Sequence, residues 1–321
     1  MKSSRGRRAE TRVVAGGAVL LAICLCLVAV SLAGCGLSAS SPTPSAAPPT
    51  PIAVATVQSL APVTPSPTAT PDPTTPPTPR PQKVAAQPTP DQRRVYNVPI
   101  LMFHRVVPSA EAGDSITSLV VPPEVFAAQM KAFFDAGWHS ITMATLVRTM
   151  KTNATIPPKT FVITFDDGWE DGYTYAFPVM KRFGFVATYF VVGGYINEKD
   201  MLSASELREL EAAGDDIGNH TENHASLTST SLAHARLEVE QCSETIQRLT
   251  GHRPVSMAYP MGAISTAVAE VVSGVPDIQM AVTTGYGETQ TWEQRYNTPR
   301  VRVNPTTDGP GLVASLTHPQ S

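Results

Sequence analysis

The run Thr160-Phe161-Val162-Ile163-Thr164-Phe165, followed at once by Asp166-Asp167-Gly168, constrains this 321-residue chain more than any other segment. Its uninterrupted apolar character reads as a strand buried on both faces, because a half-exposed strand would alternate polar and apolar positions. Two adjacent carboxylates at the mouth of such a strand repel each other unless a cation or a shared proton relieves them. The plain alternative for the same residues is an Asp-Gly turn or a helix cap.

From near Val95 onward, strand-like runs alternate with helix-like patterns. The stretch 99–103 (PILMF) reads as a buried strand. A helix is expected over 122–136, with Phe126, Met130, Phe133 and Phe134 at helical spacing and Gly137 as its stop. A short helix over 175–183 ends at Gly184, and a strand follows over 186–192. Ser203 and Glu206 form a capping box that opens a helix closed by Gly214. A short strand over 216–218 leads into His220. A longer helix covers 230–249, and strands at 255–259 and 278–283 flank a helix at 266–272. Such alternation predicts a parallel sheet closed into a barrel, with functional residues on the loops after the strand C-termini. Asp166, Asp167, His220 and Met261 all fall just after expected strands.

The N-terminal quarter is of another kind. Lys2, Arg5, Arg7, Arg8 and Arg12 precede an uncharged apolar stretch, 13–32, that ends in Leu32-Ala33-Gly34-Cys35. This resembles a bacterial lipoprotein signal, in residues 1–35, with Cys35 lipidated; an uncleaved membrane anchor is the alternative. Either reading puts the remainder outside the cytoplasmic membrane, tied to it. Residues 36–93 read as a disordered Pro/Ser/Thr-rich linker: 37–90 holds 16 of the 30 prolines and almost no large apolar residue. At roughly 3.1 Å per residue it would reach on the order of 150 Å. The folded domain is expected over 94–321.

Loss of residues 1–34 would remove five basic residues and Glu10, a net charge of +4, and take the chain from −3 to −7. That acidity argues against nucleic-acid binding, which draws on Lys and Arg at phosphates. Cys24 and Cys26 lie in the apolar stretch and Cys35 would carry lipid, so Cys242 stands alone. An intrachain disulfide and a cysteine-based zinc site are both excluded for the mature domain.

His220 and His224 are four apart, so on a helical turn they would face the same way and chelate one ion. Alone, this spacing is common on surface helices. With the Asp pair it makes a set in which one Asp and two His bind a divalent metal, leave a position open for water, and spare the other Asp as a base. That set points to a hydrolase rather than to a generic soluble domain.

The motifs Thr164-Phe165-Asp166-Asp167-Gly168 and His220-Thr221-x-x-His224 resemble the first two motifs of the NodB-like polysaccharide deacetylases, carbohydrate esterase family four. The similarity covers most of 98–303, including ILMFHRV, AFPVMKRFGFVATYFVV, IGNHTENHASL and MAYPMG, and is nearest the bacterial exopolysaccharide (poly-N-acetylglucosamine) branch. The resemblance implies a distorted seven-stranded (β/α) barrel that removes N-acetyl, sometimes O-acetyl, groups from surface polysaccharides with a divalent metal. Zn²⁺ is the default, and Co²⁺, Ni²⁺ and Fe²⁺ fit the same ligands. It implies Asp166 as general base, Asp167, His220 and His224 as metal ligands, and the backbone N–H of Met261 as an oxyanion donor. His104, in Met102-Phe103-His104, is assigned as the acid; the late His318 has the wrong spacing. Trp169, Tyr259 and Arg300 form the expected substrate-binding set. Two departures stand out. The segment Ser256-Met257-Ala258-Tyr259-Pro260-Met261-Gly262 lacks the family's Arg that pairs with the base, for which Arg300 is the candidate replacement. Met261 also stands where a Tyr is usual. These departures leave open a catalytically silent, polysaccharide-binding protein on the same fold, and an O-acetyl (xylan-type) esterase.

Overall fold

The computed structural model describes residues 88–113 and 117–316; the expected signal segment, Cys35, most of the linker and His318 lie outside them. The chain is tied to the domain from Thr89, whose carbonyl accepts a hydrogen bond from the Asn153 side-chain amide, while Asp91 N–H donates to Asn153 Oδ1. The folded part therefore starts a few residues before the expected boundary at 94.

Eight strands make the main sheet: β1 (Ile100–Phe103), β2 (His139–Ile141), β3 (Thr160–Phe165), β4 (Thr188–Val191), β5 (Asp216–Asn219), β6 (Ser256–Ala258), β7 (Met280–Tyr286) and β8 (Thr298–Arg302). Their order is β1-β8-β7-β6-β5-β4-β3, all pairs parallel, and β1 pairs back onto β3 to close a seven-stranded barrel. The short β2 lies outside the ring, on the first half of β3. Among the described residues, seven α-helices surround it: α1 (Pro123–Asp135), α2 (Met143–Lys151), α3 (Phe177–Phe183), α4 (Ala204–Ala213), α5 (Leu232–Thr250), α6 (Thr266–Ser273) and α7 (Gly309–Leu316).

The period of two along β3 sorts its side chains between two cores. Phe161, Ile163 and Phe165 face outward into a cluster with Phe126, Met130 and Phe133 of α1, where Phe133 stacks on Phe161 with centroids 4.4 Å apart. Val162 joins Ile100, Phe190, Ala258, Met280 and Val282, drawn from strands around the ring, in a second cluster that fills the barrel. Local signals set the helix ends: Ser203 and Glu206 form the capping box of α4, and α4 ends on Gly214 in the left-handed conformation.

Four elements have no clear signal in the sequence. The segments β2 and α2 carry no long apolar run, and β8 (TPRVR) holds a proline and two arginines. Pro299 sits early in β8, beside the irregular register between Val282 and Tyr286, where a missing N–H disturbs the ladder least. The segment of α7 (GPGLVASL) looks like a turn and a fraying tail, yet it packs on α1 so closely that a Cβ on Gly309 would lie 2.5 Å from the Ala128 carbonyl oxygen. The expected helix over 175–183 is split, with a π-helical turn at Gly172–Ala176 running into α3.

At the end of the barrel where the strands begin, Asp215 and Asp216 stand side by side. Asp215 Oδ1 accepts the Ala187 N–H (2.7 Å), and Asp216 Oδ2 accepts the Ala144 N–H (3.1 Å). Burial pushes Asp215 up to about 7, with the Asp216 charge adding to it, and pushes Asp216 up to about 6. A carboxyl raised in the folded state holds its proton more tightly there. Its contribution to stability is present below the unfolded value, near 3.8, and is lost as pH rises through about 7. Asp215→Asn, which keeps the acceptor and cannot ionise, should therefore gain on wild type as pH rises from 4 to 8. Calorimetric melting temperatures check this; a difference that stays constant across that range refutes it.

Candidate metal centre and active site

Continuing the inward face of β3 past Val162 and Thr164 brings Asp166 to the top of the barrel interior. Its N–H donates to the Phe103 carbonyl (3.0 Å), and its carboxylate is out of solvent. There it meets Arg300 of β8, which has no exposed surface. Arg300 Nη1 and Nη2 donate to the two Asp166 oxygens, both at 2.7 Å; Nη1 also donates to Thr164 Oγ1 (3.0 Å) and Nε to the Thr283 carbonyl (2.9 Å). Burial alone would raise the Asp166 pKa. The bidentate guanidinium outweighs it and holds the carboxyl below its usual range, so Asp166 is ionised.

Asp167 turns out of the strand with φ of 73°, and Gly168 follows with φ of 80° against Val191, whose atoms would lie 3.3 Å from an added Cβ. The turn sets the Asp167 carboxylate at the barrel rim. His220 and His224 come to it from the loop after β5. This loop is not the helical turn expected from their spacing. Thr221 and His224 adopt left-handed φ values of 66° and 55°, which breaks any helical path and still aims both rings at one point.

Such backbone must be held by its surroundings. Thr221 N–H donates to Asn219 Oδ1 (2.8 Å), and Asn219 is anchored to the Val239 carbonyl and Ser243 of α5. Glu238 of α5, itself buried, accepts the Asn223 N–H at 2.9 Å and the Asn223 side-chain amide at 3.0 Å. Its carbonyl takes the Glu222 N–H (2.9 Å). Glu238 thus clamps the residue next to His224.

The donors suit a small divalent cation. Asp167 Oδ1 lies 3.3 Å from His220 Nε2 and 3.3 Å from His224 Nε2, and the three ligand atoms lie within 4.8 Å of one another. A tetrahedron with bonds of about 2.0–2.1 Å has edges of roughly 3.3–3.4 Å. His220 Nδ1 lies 2.8 Å from the Ala258 carbonyl; that bond fixes the proton on Nδ1 and leaves Nε2 bare for an ion. Burial would lower the His220 pKa, but the Asp167 and Asp166 carboxylates outweigh it and raise the value. Burial would likewise raise Asp167, and its bonds to the two histidines bring it far below the usual carboxylate range.

His104 follows β1 and stands 3.8 Å from Asp166 Oδ2. Burial lowers its pKa, opposed by the charges of Asp166 and Asp167. Across the mouth, Met261 sits in a tight turn with φ of 56° and its side chain 61% exposed; its N–H makes no hydrogen bond to any described residue. His104, Asp166, Asp167, His220, His224 and Met261 line a cavity of about 550 Å³. A larger cavity, about 710 Å³, lies beside it past Trp169; its walls carry Arg105, Glu111 and Asp171 but none of the three ligands, so the chemistry belongs to the smaller one.

Residues 153–276 match the polysaccharide deacetylase family, and this span holds Asp166, Asp167, His220, His224 and Met261. The chain carries a polysaccharide deacetylase domain. It is 29% identical over 219 residues (68% of this chain, 76% of the relative) to the Bacillus subtilis protein YxkH, whose name places it among the polysaccharide deacetylases. A peptidoglycan-N-acetylglucosamine deacetylase of Listeria monocytogenes, PgdA, is 31% identical over 138 residues; these are 43% of this chain and only 28% of the Listeria protein. The polysaccharide deacetylase BC0361 of Bacillus cereus superposes with a TM-score of 0.62 at 26% identity, over 70% of each chain.

The deacetylase domain draws together Asp166, Asp167, His220, His224, His104 and Met261. Two of the three expected substrate contacts need correcting. Arg300 is sealed inside the barrel on Asp166 and offers no face to a polymer. Tyr259 is buried, and its hydroxyl donates to the Tyr296 carbonyl (3.0 Å). Trp169 is half-buried on the wall of the larger cavity; the Arg105 guanidinium lies 4.3 Å from its ring centroid, and its Nε1–H donates to Asp167 Oδ2 (3.2 Å). Glu238 and Arg302, which also lines the cavity, carry no signal in the sequence; each is an ordinary surface-type residue in a helix or strand until the fold brings it to the site.

Removing Arg300 leaves a buried, unpaired carboxylate. Arg300→Ala should lose about 3–5 kcal/mol of stability in urea titration. Glu238→Ala, by freeing the His224 loop, should weaken Zn²⁺ affinity by about 10–100-fold, read by competition with a chromogenic chelator; unchanged affinity would remove Glu238 from the site.

Proposed function

We propose that this deacetylase domain hydrolyses N-acetyl groups on an N-acetylglucosamine-containing surface polysaccharide, with a divalent metal, most simply Zn²⁺, held by Asp167, His220 and His224. The observation that carries the reading is an ionised, Arg-clamped carboxylate directly beside a three-donor cluster at the mouth of one cavity. The name of the Listeria relative, which covers N-acetylglucosamine in peptidoglycan, supports the sugar.

A bound divalent cation supplies a water of lowered pKa and polarises the acyl carbonyl. Asp166, adjacent in sequence to a ligand and unable to leave Arg300, receives the proton of the attacking water. The N–H of Met261, in a turn on the cavity wall, would donate to the acyl oxygen as charge develops there. The departing amine is too basic to leave as an anion, so a proton must reach its nitrogen. His104, which lines the same cavity 3.8 Å from Asp166 Oδ2, is the group that would deliver it. Burial works against its protonated form, and the neighbouring carboxylates work for it. Lipidation of Cys35 and the proline-rich tether belong to the same proposal: they would hold the domain outside the membrane, within reach of surface polymer.

Acetate release from N-acetylglucosamine oligomers by the full chain in detergent tests this. Chelation should abolish it and Zn²⁺ or Co²⁺ restore it. Asp166→Asn should lose about 10²–10⁴-fold on both amide and ester substrates. His104→Ala should lose that much on the amide but far less on 4-nitrophenyl acetate, whose leaving group needs no proton. Metal binding without acetate release from any acetylated glycan would refute the reading in favour of a polysaccharide-binding protein.

A further inference from the structure

Arg302 ends β8 on the same inward face as Arg300, two residues earlier. The two arginines have opposite fates. Arg300 is sealed in the barrel on Asp166, whereas Arg302 emerges exposed at the rim and lines the active-site cavity. Its register partner on β1 is Met102, two residues before His104. Among the described residues its guanidinium meets no carboxylate and no hydrogen-bond acceptor.

The other charges of the cavity are already engaged. Asp166 is neutralised by Arg300, and Asp167 faces the two histidines. The rest of the lining, Ser118, Leu119, Tyr259, Met261 and Thr284, is uncharged. A guanidinium that has no partner among the described residues, on the wall of a concave site, presents a planar fork to whatever enters, and the low-dielectric walls concentrate its field. A carboxylate or phosphate matches that fork in shape and charge. A neutral N-acetylglucosamine chain has no group that does.

We propose that Arg302 is a specificity-determining residue that binds an anionic group, carboxylate or phosphate, carried by the sugar that bears the acetamide or by its neighbour. The substrate class is then an acidic glycan. This rests on the deacetylase reading above.

The test compares acetate release by the full chain from three oligomers: neutral N-acetylglucosamine, one whose alternate sugars carry a 3-O-lactyl carboxylate, and one bearing a phosphate ester. Wild type should prefer an anionic oligomer, with the preference falling as salt rises, and the two anionic arms identify the group. Arg302→Ala should raise KM for the preferred oligomer about 10–100-fold, the loss expected for a charge-assisted hydrogen bond, and leave the neutral oligomer within about twofold. Arg302→Lys should recover part of the preference. Equal losses on neutral and anionic oligomers, or no anionic preference in wild type, overturn the proposal. If no oligomer is hydrolysed, the deacetylase reading fails instead. Calorimetric binding of the same oligomers to wild type and Arg302→Ala then decides the anion site by itself: binding of an anionic oligomer that needs Arg302 upholds it, and binding independent of Arg302 overturns it.

Discussion

A guanidinium with no exposed surface, set inside a barrel against a carboxylate that is also out of water, governs the arrangement of this domain. Either charge alone would be untenable there, because desolvation of an unpaired ion exceeds what neutral surroundings return. Together they tie β8 to the end of β3, and the further bonds to Thr164 and the Thr283 carbonyl bring in β7. Four of the five guanidinium N–H groups are bonded, so the fork has little freedom. Asp166 is thereby ionised, fixed in orientation and placed one residue from Asp167 and the candidate metal-binding cluster.

The rest of the site is built outward from that fixed point by backbone that few residues adopt readily. Asp167, Thr221, His224 and Met261 all have positive φ. Each such conformation is unfavourable on its own, and the ligand loops are held by packing from behind: Val191 beneath Gly168, Asn219 beneath Thr221, Glu238 beneath Asn223. Gly194 shows how tight this packing is, since an added Cβ would lie 2.8 Å from the Glu222 carbonyl oxygen. Strain at the ligand loops is thus balanced by the buried polar groups of α5. Cys242, on the same helix, is buried, and burial pushes its thiol up to about 12, so it packs as an apolar side chain and takes no part in the chemistry.

What can be read in the chain alone follows from short-range signals. The six-residue run of β3, the capping box at Ser203 and Glu206, and the helical spacing of Phe126, Met130 and Phe133 each act within one element, so each is recognisable from a few neighbours. The motif residues Asp166, Asp167, His220 and His224 are legible for the same reason. Segments whose stability comes from elsewhere are not: β8 carries a proline and two arginines and is a strand only because β1 and β7 flank it, and α7 is a helix because α1 receives it.

Sequence by itself therefore determined the alternation that makes a parallel barrel and marked Asp166, Asp167, His220 and His224 as the candidate site residues, because periodicity and motif spacing are local properties. Tertiary structure decided how deeply each charge is sealed and, beyond the Arg300–Asp166 pair that the family resemblance suggests, which partner it takes. Arg300 lies 134 positions from Asp166 yet forms its fork, and Arg302, two residues further, is left facing the cavity. The Trp169 indole N–H turns to Asp167 while its ring packs on Arg105. Barrel closure brings such distant residues together, and no local pattern records which charge will be sealed inside and which will remain at the rim.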